Sequence, residues 1–157
     1  MTEILYWKDS YIKEFDANVV RIDGNNIVFD KTYFYAAGGG QPCDFGKIIT
    51  DNKEINVVNV RKVNDEIIHE IDSDILKEGD IVKGIIDWNR RYKLMRMHTS
   101  THILSEVIHN ETKALITGNQ LDVDKTRIDF NLENFDKDKI SKYIKKANEV
   151  IRSGLDI

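Results

Sequence analysis

Two histidines, His98 and His102, are the residues of this sequence whose type and spacing are best suited to chemistry. On an α-helix, residues four positions apart lie one above the other on the same face. Both imidazoles of such a pair can reach one metal ion, and neutral imidazole is a common zinc ligand. The pair therefore supplies half of a tetrahedral site. The alternative is a pair of histidines satisfied at the margin of a hydrophobic core.

Only hydroxyl side chains stand between the two histidines, namely Thr99, Ser100 and Thr101. Helical zinc proteases carry a glutamate general base at that place, so protease chemistry is disfavoured. No cysteine follows His102, and the one later histidine, His109, lies about 10 Å further along the helix axis. The sequence thus gives two ligands, and this chain alone is predicted to bind metal weakly.

The histidines need a helix to hold them, and the sequence predicts one. Asp87 or Asn89 can cap its start, and the helical pattern runs to about His109. At about 100° per residue, the apolar stripe of this helix consists of Leu94, Met97, Thr101, Leu104 and Ile108. The margin of the stripe consists of Arg91, His98, His102 and Ser105. The histidine pair is therefore expected at the edge of a core, where a cleft can open.

Short strands are predicted throughout the part of the chain that precedes this helix. Turn-forming clusters at 23–26, 51–53, 64–65 and 78–80 separate runs of strand length. The runs are Phe15–Ile22, Ile27–Phe29, Lys47–Thr50, Ile55–Val63, Glu66–Ile71 and Ile81–Asp87. This spacing is typical of a small antiparallel barrel or sandwich. His69 is predicted to point outward from its strand.

Beyond the histidine helix the pattern changes again. Lys113–Gly118 and Thr126–Leu132 are predicted strands, the second because its residues alternate between apolar and polar. Asn134 or Asp136 can cap a last helix, which Gly154 ends. The apolar face predicted for this helix consists of Ile140, Ile144, Ala147 and Ile151. Residues 155–157 have the pattern of another strand opening.

The fold class predicted from these elements is α+β. Residues 1–87 form a small antiparallel β-barrel domain, and residues 88–157 form the beginning of a second, α+β domain. No linker rich in glycine, proline or serine separates the two. An unfinished sheet edge in the second domain could pair with a second copy, so a homodimer is a further expectation.

A glycine-rich loop, Gly38-Gly39-Gly40 followed by Gln41, connects the predicted hairpins of the barrel. Ordering three consecutive glycines costs more backbone entropy than ordering other residues, and a plain connection would not need them. A binding loop and a flexible hairpin tip are both open interpretations. The aromatic residues that lead into the loop are predicted to belong to the barrel core rather than to a base-stacking platform; they are Tyr33, Phe34 and Tyr35.

The overall charge excludes a general attraction to nucleic acid, because 23 basic residues stand against 27 acidic ones and the net charge is −4. Any such contact needs a local basic patch. The candidate patch lies at the start of the histidine helix and consists of Arg90, Arg91, Lys93 and Arg96; the alternative is a solvated helix face. The single cysteine, Cys43, excludes an internal disulfide. With no signal peptide and no membrane-spanning run, a cytoplasmic location is expected.

Four segments of the chain resemble, in the same order, one known family. The glycine-rich segment FYAAGGGQPCDFG (34–46), the helix start DWNRRYKLMRMHT (87–99), the histidine turn RMHTSTHIL (96–104) and the segment GNQLDVDKTRIDF (118–130) carry the likeness. They resemble the editing domain of alanyl-tRNA synthetases with the barrel that precedes it, and the free-standing editing proteins called AlaX. The resemblance covers nearly the whole chain and implies a barrel of the translation-protein type followed by an editing domain.

What the resemblance implies is zinc-dependent hydrolysis of the ester that joins a wrong amino acid, serine or glycine, to tRNA(Ala). In the family a zinc ion is held by the two histidines of this turn and by a later Cys-x-x-x-His motif. Carried over by position, His98 and His102 are zinc ligands, and Thr101 is the catalytic-pocket hydroxyl. The loop formed by Gly38, Gly39, Gly40 and Gln41 would lie toward the acceptor end of the tRNA.

The sequence departs from the family in one respect, because no Cys-x-x-x-His motif follows His102. The expectation is therefore that these residues are the N-terminal part of an AlaX-type protein, inactive by themselves with an incomplete Zn2+ site. A noncatalytic tRNA-binding or regulatory fragment of the same fold is the alternative. An unrelated zinc hydrolase is a third hypothesis, which the glycine-rich segment disfavours.

Overall fold

The computed structural model describes residues 1–51, 53–132 and 136–156. The chain divides into two compact units, Met1–Tyr92 and Lys93–Ile157, where the sequence placed a boundary at Trp88. Among the described residues, no helix combines the length and the apolar character needed to cross a lipid bilayer.

The first unit is built on a closed antiparallel barrel whose strands follow the order β2-β3-β7-β6-β5-β8. A short parallel pair, β1 with β4, lies outside it. The strands are β1 (Glu3–Ile4), β2 (Glu14–Asp23), β3 (Asn26–Phe29), β4 (Lys31–Thr32), β5 (Gly46–Thr50), β6 (Lys53–Val63), β7 (Glu66–Ile71) and β8 (Ile81–Ile86). The predicted barrel is therefore confirmed.

Alternation along the strands fills the barrel. On β2, Phe15, Ala17 and Val19 are buried while the residues between them are exposed, as a half-buried strand requires. The turn between β2 and β3 contains Gly24 in the left-handed region at φ 56°, which confirms the first predicted hairpin. The predicted turn at 51–53 includes Asn52, which lies outside the described residues.

His69 lies inside the barrel, and the prediction that it points outward is wrong. On β7 the inward positions are those of Ile67, His69 and Ile71, because the strand presents alternate residues to the core. The ring Nδ1–H donates to the carbonyl of Ile27 at 3.2 Å, and Nε2 accepts the Thr32 hydroxyl at 2.9 Å. Burial lowers the pKa of His69 to about 4. The imidazole is thus a neutral, fully bonded core group.

Acidification is expected to weaken the barrel through His69. Below pH 6.5 the unfolded chain takes up a proton at this residue while the folded chain does not, so stability falls as the pH drops toward 4. The difference between a pKa of 6.5 and one of about 4 corresponds to about 3 kcal/mol. Urea unfolding, followed by the fluorescence of the two tryptophans, should show this loss in the native sequence and not in His69→Gln, whose amide can both donate and accept.

The control for that experiment is His109→Gln, which alters a histidine of the second unit. It should keep the same pH dependence as the native sequence. If the native sequence and His69→Gln lost stability in parallel between pH 7 and 4, the assigned protonation of His69 would be wrong.

The second unit contains most of α1 (Trp88–Thr112), a hairpin of β9 (Ile116–Gln120) and β10 (Arg127–Phe130), and α2 (Lys137–Arg152). The strand predicted at 113–118 begins three residues later, because α1 runs past its predicted end. The Lys113 N–H still donates to the carbonyl of His109 at 2.7 Å, and Lys113 then leaves the helix at φ 63°.

Helix α2 begins where one of the two predicted caps places it. The Asp136 carboxylate accepts from the N–H of Asp138 at 3.0 Å, whereas the other candidate, Asn134, lies outside the described residues. The predicted apolar face is partly wrong: Ala147 is buried, but Ile144 and Ile151 are almost half exposed. Tyr143 is buried in their place, in a cluster with Ile108 and Ala114 of the same unit.

At the C-terminal end, the predicted end of α2 at Gly154 is confirmed, and the strand predicted after it is not found among the described residues. Gly154, at φ 66°, follows the last turn of α2, as a terminating glycine should. Leu155 and Asp156 do not form a strand, and Ile157 lies outside the described residues.

Candidate functional site

Helix α1 carries the candidate site and starts at the predicted cap. The Asp87 carboxylate accepts from the N–H of Arg90 at 3.1 Å, so Asp87 rather than Asn89 caps the helix. Of the predicted apolar stripe, Leu94, Thr101 and Ile108 are buried. This burial fixes the rotation of the helix and hence the direction in which the histidines face.

The two histidines stack on each other along α1. Their ring centroids lie 5.0 Å apart and their planes make an angle of 15°. His98 is partly buried and His102 is exposed. Burial, and in second place the neighbouring His102, lowers the pKa of His98, which favours the neutral form that binds metals. The structure therefore places both predicted ligands on one accessible helix margin.

Thr101 lies one position before His102 and is 4% exposed. Its hydroxyl donates to the carbonyl of Met97 at 2.8 Å, and Ser100 donates to the same carbonyl at 3.0 Å. The proton of the Thr101 hydroxyl is therefore used within the helix. Its oxygen can still accept a hydrogen bond from another group.

Two buried hydroxyls in the second unit have no hydrogen-bond partner among the described residues. They belong to Ser105, one helical turn beyond His102, and to Thr126 just before β10. Native structures pair most buried polar groups, so each is a place for water or a bound polar group. Helical spacing placed Ser105 beside the histidines, whereas no sequence signal pointed to Thr126, which became a candidate only through the packing of the chain.

A groove of about 480 Å³ in the second unit is lined in part by Thr126, one of these two residues. Its wall is mostly apolar, with Thr126 and Asp129 as its polar members. The lining residues are Leu104, Ile108, Thr126, Ile128, Asp129, Phe130, Leu132 and Ile140. An apolar cleft with a few polar groups is the usual form of a small-ligand site.

The described residues do not complete a zinc site. Within residues 1–51, 53–132 and 136–156, no group of three or more His, Cys, Asp or Glu side chains is placed to hold a metal ion. His109 instead binds the carbonyl of Ala114 through Nδ1 at 2.9 Å. Two imidazoles are half of the four ligands that a structural or catalytic zinc ion takes from protein and water.

Metal analysis of the purified chain should accordingly find clearly less than one zinc per molecule. Two imidazole ligands bind zinc weakly compared with a full ligand set, so dialysis against a mild chelator should remove the metal. Inductively coupled plasma mass spectrometry measures the ratio, and His98→Ala sets the background. Tight, stoichiometric zinc in the native chain would mean that further ligands exist.

The glycine-rich loop is an exposed tight turn in the first unit. Gly38 and Gln41 exchange backbone hydrogen bonds of 2.9 and 3.1 Å, while Gly39 and Gly40 have φ of 59° and 80°. Two successive positive φ values explain two of the three glycines by turn geometry alone. The hydroxyl of Tyr35 donates to the Gly38 carbonyl at 2.9 Å and steadies the turn. Gln41, predicted to face tRNA, is buried.

The aromatic residues before this turn behave largely as expected. Phe34 is fully buried in the barrel core, and Tyr33 packs against that core. Tyr35 is partly buried and contacts Tyr6 with ring centroids 5.1 Å apart. None of the three is an open stacking platform.

The predicted basic patch loses one member, because Arg91 is 2% exposed and belongs to the interior of the first unit. Its guanidinium forms an ion pair with Asp44, which is 1% exposed, so it cannot serve as a surface contact for phosphate. Arg90 is partly exposed in the same unit. In the second unit Arg96 is exposed, and the Lys93 Nζ lies 3.2 Å from the Oδ1 of Asp124, with which it forms an ion pair.

The chain is similar in sequence to known proteins. The family model described as tRNA synthetases class II (A) matches residues 4–90. The chain is 53% identical over 158 residues to the alanyl-tRNA editing protein AlaX-M of Methanosarcina barkeri, covering 96% of this chain and 65% of that protein. It is 44% identical over 160 residues to AlaX-M of Saccharolobus solfataricus, and the alignment covers 100% of this chain and 67% of that protein.

An alanine–tRNA ligase is also similar. The chain is 40% identical over 159 residues to the enzyme of Thermoplasma acidophilum, covering 99% of this chain and 18% of the ligase. The chain thus spans about two thirds of the length of the two AlaX-M proteins and less than a fifth of the ligase.

Proposed function

The chain belongs to the AlaX family of alanyl-tRNA editing proteins, and we propose from this that it takes part in hydrolytic removal of serine or glycine from mischarged tRNA(Ala). The observation that carries the proposal is the stacked pair of His98 and His102 on the margin of α1. It stands within a segment that aligns with editing proteins over almost the full length of the chain.

The role proposed for the histidine pair is to hold two coordination positions of a zinc ion. Such an ion supplies Lewis acidity toward an ester carbonyl or a bound water. An aminoacyl ester is already activated, so the demands on the protein are positioning and stabilisation of the oxyanion. The contribution of this chain is to hold the two imidazoles nearly parallel on the margin of α1, with the neutral form of His98 favoured by its burial.

Selection of the amino acid is proposed to involve Thr101. Because its hydroxyl proton is used by the Met97 carbonyl, the oxygen would act as an acceptor for the hydroxyl of a seryl group. A site that pairs a substrate hydroxyl discriminates strongly against an analogue that lacks it, here the correct alanyl group. Glycine, which has no hydroxyl, would be accepted through its small size instead.

Contact with the tRNA is proposed for exposed residues of each unit, taken separately. The Gly38–Gly40 turn is exposed in the first unit, and Arg90, at the start of α1, is the partly exposed basic candidate of the same unit. Lys93 and Arg96 are the basic candidates of the second unit. Phosphate contacts of this kind give affinity that falls with salt.

Deacylation of Ser-tRNA(Ala) tests the proposal. The chain is assayed alone and as a chimera that carries, after its own last residue, whatever part of the Methanosarcina barkeri relative follows the aligned segment. We expect release of serine by the chimera, no release from correctly charged Ala-tRNA(Ala), and little activity of the chain alone. A folded chimera that leaves Ser-tRNA(Ala) and Gly-tRNA(Ala) intact would overturn the proposal.

The second candidate function is noncatalytic tRNA binding by the same fold. The incomplete ligand set among the described residues is the observation that favours it. Its signature in the same experiment is a chimera that binds tRNA(Ala) in a filter assay without hydrolysing either mischarged form.

A further inference from the structure

Phe45 is an exposed aromatic residue at the end of the glycine-rich segment, immediately before β5. The residue is 40% exposed, although Asp44 immediately before it is buried. The guanidinium carbon of Arg90 lies 4.1 Å from the centroid of this ring. Such a separation is a close cation–π contact, in which the guanidinium lies over one face of the ring.

The backbone holds both residues of this pair in place. The Phe45 carbonyl accepts from the N–H of Asp87 at 2.9 Å, and the Asp87 carboxylate caps the N–H of Arg90. Arg90 Nε donates to the carbonyl of Cys43 at 3.2 Å. The guanidinium is thus fixed before any ligand arrives, which reduces the entropy lost on binding.

A groove of about 480 Å³ opens beside Phe45 on the barrel surface. Its floor is mainly apolar, and Val58, 44% exposed, provides much of the open apolar surface. The lining includes Phe45, Lys47, Asn56, Val58, Ile86 and Asp87. The volume and the apolar floor suit a planar organic group of moderate size.

The groove lining itself holds one acidic residue, Asp87, and a lysine paired with Glu54, so the cation available for an anionic part of a ligand is Arg90, which contacts Phe45. Throughout the described ranges of the chain, no carboxylate lies within ion-pair distance of Arg90, in contrast to Arg91 with Asp44 and Lys47 with Glu54. An arginine that is stacked on an aromatic ring and not paired with an acid retains its outer N–H groups for a phosphate.

We propose that the Phe45–Arg90 groove binds one unpaired nucleotide of an RNA, with the base against Phe45 and Val58 and the phosphate at Arg90. Aromatic stacking with a nearby guanidinium is the chemistry by which proteins hold single-stranded nucleic acid. The choice of RNA rests on the proposed function, because the editing relatives are named for a tRNA substrate.

Fluorescence anisotropy tests the groove with the labelled tetranucleotide ACCA, which has the sequence of an unpaired tRNA end, and with the same length of abasic RNA. Phe45→Ala is expected to weaken ACCA binding about tenfold, while Phe45→Trp retains it. Arg90→Gln should reduce the slope of log affinity against log salt by about 0.7, the value for one phosphate on a single strand. Tyr11→Ala, which removes an aromatic side chain that is 62% exposed and does not line the groove, is the matched control.

Phe45→Leu keeps a large apolar side chain and separates stacking from folding. If it melts like the native chain and binds ACCA as weakly as Phe45→Ala, the ring itself is the binding element. Native-like ACCA binding by both Phe45→Ala and Arg90→Gln would overturn the inference, as would equal affinity for ACCA and abasic RNA. Deacylation by the chimera is scored separately. If the Phe45→Ala chimera deacylates Ser-tRNA(Ala) and binds ACCA as well as the unmodified chimera, the groove inference alone is overturned. If ACCA binding depends on Phe45 but the chimera does not deacylate Ser-tRNA(Ala), the proposed function alone is overturned.

Discussion

Replacement of Arg91 by methionine is expected to lower the free energy of unfolding of the first unit by about 3 to 5 kcal/mol. The side chain is fully enclosed, and its partner Asp44 is equally buried. Removing the guanidinium leaves the Asp44 carboxylate as an uncompensated charge in the barrel. Two backbone carbonyls, those of Ser10 and Tyr33, also lose the hydrogen bonds that Arg91 donates.

Arg90→Met is the matched control, since it changes the neighbouring arginine on the same helical turn. Arg90 is partly exposed and has no ion pair among the described residues, so we expect a loss below about 1 kcal/mol. Urea unfolding monitored by the fluorescence of Trp7 and Trp88 measures both variants. The double variant Asp44→Asn, Arg91→Met should recover part of the loss, because no charge is then left unpaired. A single Arg91→Met variant as stable as Arg90→Met would contradict this account.

The contrast between Arg90 and Arg91 shows that the burial of a single side chain could not be predicted from the sequence. Both stand at the start of one predicted helix, and helical spacing placed Arg91 only at the margin of the apolar stripe. Its burial is decided by Asp44, which lies 47 residues earlier. A pairing over that distance leaves no periodic pattern, so it is visible only once the barrel brings the glycine-rich segment to the helix start.

The barrel itself was predictable because the sequence of each strand contains local signals for strand formation. Alternation, strand length and turn residues agree along β2, β3 and β5 to β8, and together they specify an antiparallel arrangement. The wrong prediction for His69 also comes from relying on these local patterns. A polar residue in an apolar run is assigned to the solvent side by hydropathy, although two hydrogen-bond partners make the interior equally acceptable to a neutral imidazole.

The candidate site divides in a similar way. The histidine pair follows from a spacing of four within one helix, a local property that a sequence states directly. The unpartnered hydroxyls of Ser105 and Thr126, the two grooves and the Phe45–Arg90 contact depend on side chains from separate elements. The turn geometry of Gly39 and Gly40 was also hidden, since three glycines in a row do not specify which of them take positive φ.

Loss of either histidine is expected to lower deacylation of Ser-tRNA(Ala) by the chimera by more than about 100-fold. Changes to groups that merely orient metal ligands typically reduce metal affinity or activity by about 10- to 100-fold, so removal of a ligand should exceed that range. His98→Ala and His102→Ala should act alike, because each leaves a single imidazole on α1. Thermal unfolding should change little for His102→Ala, whose side chain is exposed.

His109→Gln separates the ligand role from a general need for histidine on α1. Its Nδ1 is bound to the carbonyl of Ala114 near the helix end, and an amide N–H can take over that bond. We therefore expect the His109 variant to hydrolyse Ser-tRNA(Ala) at a rate close to that of the unmodified chimera. Initial rates of serine release at saturating substrate provide the comparison. If His98→Ala and His102→Ala instead matched His109→Gln, the stacked pair would be a satisfied core-margin pair, and the metal role assigned to it would fall.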